Sequence, residues 1–392
     1  MARFVAFFTL MLMTWSAAFA DTYDSSTRTR AFNIESEALS ETREVMVRTP
    51  PYYKDGQQYP VVYVLDGEGN FEFVASYLDY LADNEVYPQM IVTGVRNVNR
   101  NRDYVPREDA NFADTGEADA FLEFVKDEWV EEVEREYPAS GERIIVGHSF
   151  GGVFALHAFF KEPDLFDANI ALGTSAWIGD RVLLEEATAL FNERDDVDSF
   201  VYMAVGEGDG GPTVPSSRDL AAVFELEAPA SLEWTFELTP QADHFKNVPS
   251  GMHNAFMALF PAWEFEDEVM AAAEAGGADA VNAWFAEKRA GLGFRFQPAW
   301  FDMGVAALQL SRGEHGESAL AVMDQLVAHY PENAYVASFA ASVHENLGHY
   351  EDAARENERA IALTQEQGLH PNSMHLDRLE SALARVREAG GE

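Results

Sequence analysis

The sequence predicts an α/β chain, in which a mainly parallel sheet covered by helices on both faces is followed by an α-helical domain. Three observations predict it. Short, continuously apolar runs suited to strands buried on both faces alternate with segments of helical spacing as far as about Phe265. One such run ends in a Gly-x-Ser-x-Gly turn that leads straight into a helical segment. Beyond Phe265 the strand-like runs stop and Ala-rich helical sequence continues to the C-terminus.

In chain order, residues 1–20 read as a signal peptide. Arg3 supplies the positive start, the run 4–15 is apolar apart from Thr9 and Thr14, and Ala18-Phe19-Ala20 forms a cleavage site before Asp21. The run is too short to span a bilayer comfortably. The mature chain is therefore expected in the periplasm or medium, with no membrane attachment after cleavage at Ala20. Segment 43–48 (REVMVR) alternates like a half-buried strand and ends at Pro50-Pro51. Segments 61–65, 90–95, 143–146, 169–172 and 200–205 are buried-strand runs, and 232–238 alternates as a strand nearer an edge does. Between them, 118–137 places Phe121, Leu122, Val125, Trp129 and Val133 on one side of a helix. This divides the mature chain into 21–265 and 266–392.

Within the second part, Gly313-x-His315-x-x-Ser318 recurs 35 residues later as Gly348-x-Tyr350-x-x-Ala353. This resembles the tetratricopeptide (TPR) repeat, a helix-turn-helix unit of about 34 residues that offers a surface for a protein partner.

Composition narrows the function classes. With 47% hydrophobic residues, 28 Phe and 7 Trp in 392 residues, the chain can fill a large core. It has no cysteine, which excludes disulfides, thiolate metal sites and a thiol nucleophile. Its 67 acidic against 27 basic residues give a formal charge of −40, a field that repels phosphate backbones and argues against nucleic-acid binding. The chain shows no H-E-x-x-H motif and no clustered His/Asp set, so neither metal nor cofactor is expected.

The chemistry concentrates at Gly147-His148-Ser149-Phe150-Gly151-Gly152, between a buried strand and a helical run. That is the context of the nucleophile elbow of α/β hydrolases, with Ser149 as nucleophile at the mouth of the helix. A serine hydroxyl needs a base held by an acid, and in this fold the chain order is Ser, acid, His. His244, in the loop Asp243-His244-Phe245 after the last strand, is the expected base. His148 lies within the elbow, His157 on the helix after it, and His253 in a later helix. The acid is expected after the strand ending at Val205, in Gly206-Glu207-Gly208-Asp209, with Asp209 first and Glu207 second. Oxyanion donors are expected from the Phe150 amide and from the Asp66-Gly67-Glu68 loop, where Gly67 permits close backbone approach.

Taken together, Tyr59-Pro60-Val61-Val62-Tyr63-Val64-Leu65-Asp66-Gly67, Arg100-Asn101-Arg102-Asp103-Tyr104-Val105-Pro106, the GHSFGG elbow and Asp243-His244 resemble the putative-esterase family of α/β hydrolases. This family includes esterase D and the enterochelin- and salmochelin-type siderophore esterases. The resemblance covers about 35–265. It implies a serine hydrolase acting on carboxylic esters without a metal, through Ser149, His244 and Asp209; with the signal peptide, an exported esterase of a small-molecule ester is expected. It also implies that Arg102 and Asp103 lie near the site, where they either bind a substrate carboxylate or fix their loop. Two rivals share these residues: an acyltransferase with the same triad, and a TPR-bearing binding protein with a vestigial site.

Overall fold

The computed structural model describes residues 28–54, 56–84, 86–261, 265–367 and 376–391; the expected signal segment 1–20 lies outside them. Eight strands form one sheet in the order β1-β2-β4-β3-β5-β6-β7-β8. They are β1 (Thr29–Ser36), β2 (Glu41–Arg48), β3 (Tyr59–Val64), β4 (Ile91–Val95), β5 (Ala139–His148), β6 (Ala168–Leu172), β7 (Phe200–Gly206) and β8 (Glu233–Thr239). The β1/β2 and β2/β4 pairs are antiparallel, and every pair from β4 to β8 is parallel. The mainly parallel α/β architecture read from the apolar runs is thus the one observed.

The physics of the runs explains their places. All residues of β4, β6 and β7 are buried, as strands covered on both faces must be. β8 alternates exposed and half-buried residues and forms one edge of the sheet. The opposite edge is β1, which the sequence reading omitted. Its polar Thr29, Arg30, Asn33 and Glu35 dilute the apolar pattern, and it pairs with β2 on one side only. Between β4 and β5 the helical segment runs from Ala118–Phe124 through a π-turn at Val125–Val130 to Glu131–Glu136. Trp129 in that turn is fully buried, donates to Thr93 Oγ1 at 3.0 Å and meets the Tyr63 ring edge-on.

Contacts divide the described chain into two units: 28–82 with 89–259, which holds the sheet, and Asp83–Pro88 with the residues from Phe260 onward. Among the described residues of the second unit every regular element is a helix. Helices Trp300–Arg312 and Gly316–His329 are followed 34 residues later by Ala334–Asn346 and Tyr350–Gln367. Gly304 lets two of these helices approach closely, since a Cβ there would lie 2.5 Å from the Phe339 ring. Among the described residues no helix is long and apolar enough to cross a membrane.

Candidate active site

Strand β5 delivers Ser149 to the carboxyl end of the sheet, and the helix Phe150–Lys161 begins at the next residue. Ser149 has φ 61° and ψ −116°, a backbone state that a side chain disfavours by about 1–3 kcal/mol. Its surroundings hold it there. The Ser149 amide donates to Leu172 O at 2.9 Å, tying the bend to β6. A Cβ on Gly147 would lie 2.2 Å from Gly151 O, and one on Gly152 would lie 2.7 Å from Thr174 Oγ1. Only glycine fits at 147, where the clash is with backbone, and the missing side chain at 152 leaves room for the Thr174 hydroxyl. The result is a half-buried serine projecting from a sharp strand-to-helix bend, with its Oγ 3.5 Å from Ser175 Oγ.

Two strands further along, β7 ends at Gly206. A Cβ there would lie 2.7 Å from both Ala242 O and Asp243 O, and the Gly208 amide donates to Ala242 O at 2.8 Å. The loops after β7 and β8 are thereby stitched together. Asp209 Oδ2 comes to lie 2.8 Å from His244 Nδ1, with the carboxylate 4% and the imidazole 29% exposed. Asp243 shapes the loop that presents the ring: its Oδ1 accepts from the Lys246 amide at 2.9 Å and the Phe245 amide at 3.1 Å. The Lys246 amide and ammonium, with the Phe245 amide, hold the Asp243 carboxyl down to about 2. Asn247 Nδ2, donating to Ala204 O at 2.9 Å, anchors the helix that follows.

The elbow meets the His244 loop through His148. Their imidazole rings are 4.6 Å apart between centroids, and His148 Nε2 lies 2.9 Å from His244 O. Burial and the neighbouring His244 ring push His148 down to about 4. At neutral pH His148 is therefore uncharged, and its Nε2–H donates to that carbonyl. Among the described residues Asp209 pairs with His244 and Ser149 with Ser175. The bond between serine and imidazole is not formed, a state common in unliganded sites, where catalytic bonds tighten as substrate docks.

The family model described as "Putative esterase" matches residues 36–255. The chain belongs to this family. Over 76 residues it is 38% identical to the siderophore triacetylfusarinine C esterase of Aspergillus fumigatus, and over 75 residues 41% identical to the siderophore enterobactin esterase of Emericella nidulans. Those alignments cover 19% and 18% of this chain and 26% and 25% of the relatives, so the chain spans about a quarter of their length. Among solved structures, an IroE-like serine hydrolase from Shewanella oneidensis superposes with TM-score 0.61 at 25% identity, covering 77% of this chain and 99% of the other.

In this esterase-family chain the other expected residues fall as follows. Glu207 is exposed and turns toward the Gln241 amide at 3.5 Å, away from His244. His253 lies 2.9 Å from Tyr77 OH, and His157 is buried between Asp119 and Glu186. Phe150 and Gly67 each open a helix, so their amides belong to the first turn, where no intrahelical acceptor exists. They follow β5 and β3, which are adjacent parallel strands. The glycine at 67 also permits close packing on β4, since a Cβ there would lie 2.7 Å from Val95 O.

Of the two roles expected for Arg102 and Asp103, binding a substrate carboxylate or fixing their loop, the geometry supports the second. Asp103 is fully buried, and its two oxygens are taken by Arg43 at 2.6 Å and Arg102 at 2.8 Å. Glu41 closes the cluster, at 2.5 Å from Arg43 and 2.7 Å from Arg102. These four charges are paired with one another and hold the loop in place. The cation beside the elbow is Arg100, which sequence reading passed over. It grips Asp66 at 2.6 and 2.9 Å, donates to His148 O at 2.9 Å and lies over the Phe150 ring. Phe112 and Trp177 pack on Phe150, and Phe245 stands 77% exposed beside His244, giving the site aromatic walls.

The expectation that no His/Asp set clusters is corrected. In the helical unit His344, His349 and Asp352 bring ligand-type atoms within 4.8 Å of one another. The motif was invisible because its members straddle a helix end and a turn rather than one helix face.

Proposed function

We propose that the protein is an exported serine esterase that cleaves small-molecule carboxylic esters through an acyl-enzyme. The observation that carries this reading is Ser149 at φ 61° on the strand-to-helix bend, with the Asp209–His244 pair seated on the loops beside it. In the proposed cycle Asp209 accepts the Nδ1–H bond of His244, leaving Nε2 free to take the Ser149 proton as Oγ attacks the ester carbonyl. Amides of Phe150 and Gly67 receive the negative charge on the carbonyl oxygen, aided by the positive ends of the two helices. The imidazolium returns its proton to the departing alcohol. Water then repeats the sequence on the acyl-serine, releasing acid and restoring the hydroxyl.

Residues 1–20 are proposed to direct export. The names of the fungal relatives make siderophore esters the first substrate class to try, with short acyl and carbohydrate esters beside them. The charge of −40 disfavours an anionic ferric complex and favours metal-free or neutral esters. Hydrolysis rates across these three classes test the reading. Turnover of at least one class, abolished by Ser149→Ala, is the expected result. Rates equal in wild type and Ser149→Ala, or absent from all three, would overturn it.

A further inference from the structure

The helical unit gathers three metal-ligand-type side chains at one helix–turn–helix junction. His344 stands near the end of helix Ala334–Asn346, His349 in the turn, and Asp352 in the first turn of helix Tyr350–Gln367. The backbone holds them in place: the His349 amide donates to His344 O at 2.9 Å, and the Ala353 amide to His349 O at 3.0 Å. One ligand-type atom from each of the three lies within 4.8 Å of the other two.

Two further observations point to an occupant. His344 Nδ1 is buried and has no hydrogen-bond partner among the described residues, an arrangement that normally costs about 1–3 kcal/mol. The preceding helical pair, 34 residues earlier, carries Leu310, His315 and Ser318 at the matching positions, and the Ala319 amide donates to His315 O at 3.0 Å as Ala353 does to His349 O. Folding of such a pair therefore demands neither the His344 imidazole nor the Asp352 carboxylate. His349 also lines a cavity of about 580 Å³ together with Glu314, His315 and Glu317, so its side of the cluster is open to solvent.

We propose that His344, His349 and Asp352 bind one divalent ion of the first transition row, Zn²⁺ being the probe. Two imidazole nitrogens and one carboxylate oxygen are a borderline donor set that suits such ions and not Mg²⁺ or Ca²⁺, which prefer oxygen shells. Asp352 now pairs with Arg355 at 2.6 Å. That arginine is 63% exposed and already lies 3.8 Å from Glu356, so it can turn away when the ion arrives. The ion would link the ends of the two helices across the turn at Gly348 and stabilise the helical unit.

The test is calorimetric titration of Zn²⁺ into the full chain in excess Mg²⁺, which occupies the acidic surface. One saturable equivalent is expected, with affinity falling more than about tenfold in His349→Ala and in His344→Ala but unchanged in His315→Ala. His349 is exposed, so its replacement spares the core, and an unaltered metal-free melting temperature verifies this. No saturable Zn²⁺ binding, or equal binding by wild type and His349→Ala, would overturn the proposal.

Discussion

His244 Nδ1 lies 2.8 Å from Asp209 Oδ2, and the carboxylate is 4% exposed while the ring is 29% exposed. That contrast is the geometry a base needs, with the orienting acid shielded from water and the working nitrogen side open. Glu207, two residues earlier, has no such contact. Asp209→Asn is therefore expected to lower kcat on the order of 10³-fold or more, because amide nitrogen facing Nδ1 selects the wrong tautomer. Glu207→Gln is expected to stay within about twofold. Steady-state kinetics of the two variants on one ester checks both, and equal losses would reassign the acid.

Gly206 spaces the acid and base loops. A Cβ at this position meets two backbone carbonyls at 2.7 Å, neither of which can rotate away as a side chain would. Gly206→Ala is expected to displace His244 and cut kcat on the order of a hundredfold, as small misplacements do. The readout is kcat beside a melting curve. A loss of folding with normal kcat in the surviving fraction would contradict the spacing role.

How far the site was legible follows from the range of its interactions. The Ser149 elbow is local: strand, glycine, serine, glycine and helix are consecutive, so the sequence shows it whole. The Asp209–His244 pair needs the order of strands as well, and loops after β7 and β8 were enough to nominate both. The choice between the two roles of Arg102 and Asp103 stayed open in the sequence because their partner Arg43 lies some 60 residues away on β2, and nothing local announces that pairing. Strand β1 escaped because an edge strand needs only weak alternation. His344, His349 and Asp352 became neighbours only once a turn had folded.

The loop-fixing role of Asp103 makes its own prediction. Asp103→Ala strips two guanidinium groups of a fully buried counter-charge, and breaking such a pair costs about 3–5 kcal/mol. A melting temperature well below wild type with KM unchanged in the folded enzyme is expected. A raised KM at normal stability would return the residue to substrate binding.

His157 ties fold stability to pH. Burial penalises its charged form, but hydrogen bonds to Asp119 at 3.1 Å and Glu186 at 3.0 Å outweigh the penalty and raise its pKa above the ordinary 6.5. A raised folded value means that the stabilisation is fully present below about 6.5 and is lost as pH rises through the folded pKa. Thermal melting followed across neutral pH should therefore fall with rising pH in wild type. His157→Gln should show a shallower dependence, and identical slopes would remove the assignment.

The most direct test of the central claim is fluorophosphonate labelling of the folded chain, with the adduct located by mass spectrometry. The account predicts one covalent adduct, on Ser149, formed more than about a hundredfold more slowly in His244→Ala. A folded wild-type chain that acquires no adduct at Ser149, or acquires it just as fast without His244, would contradict it.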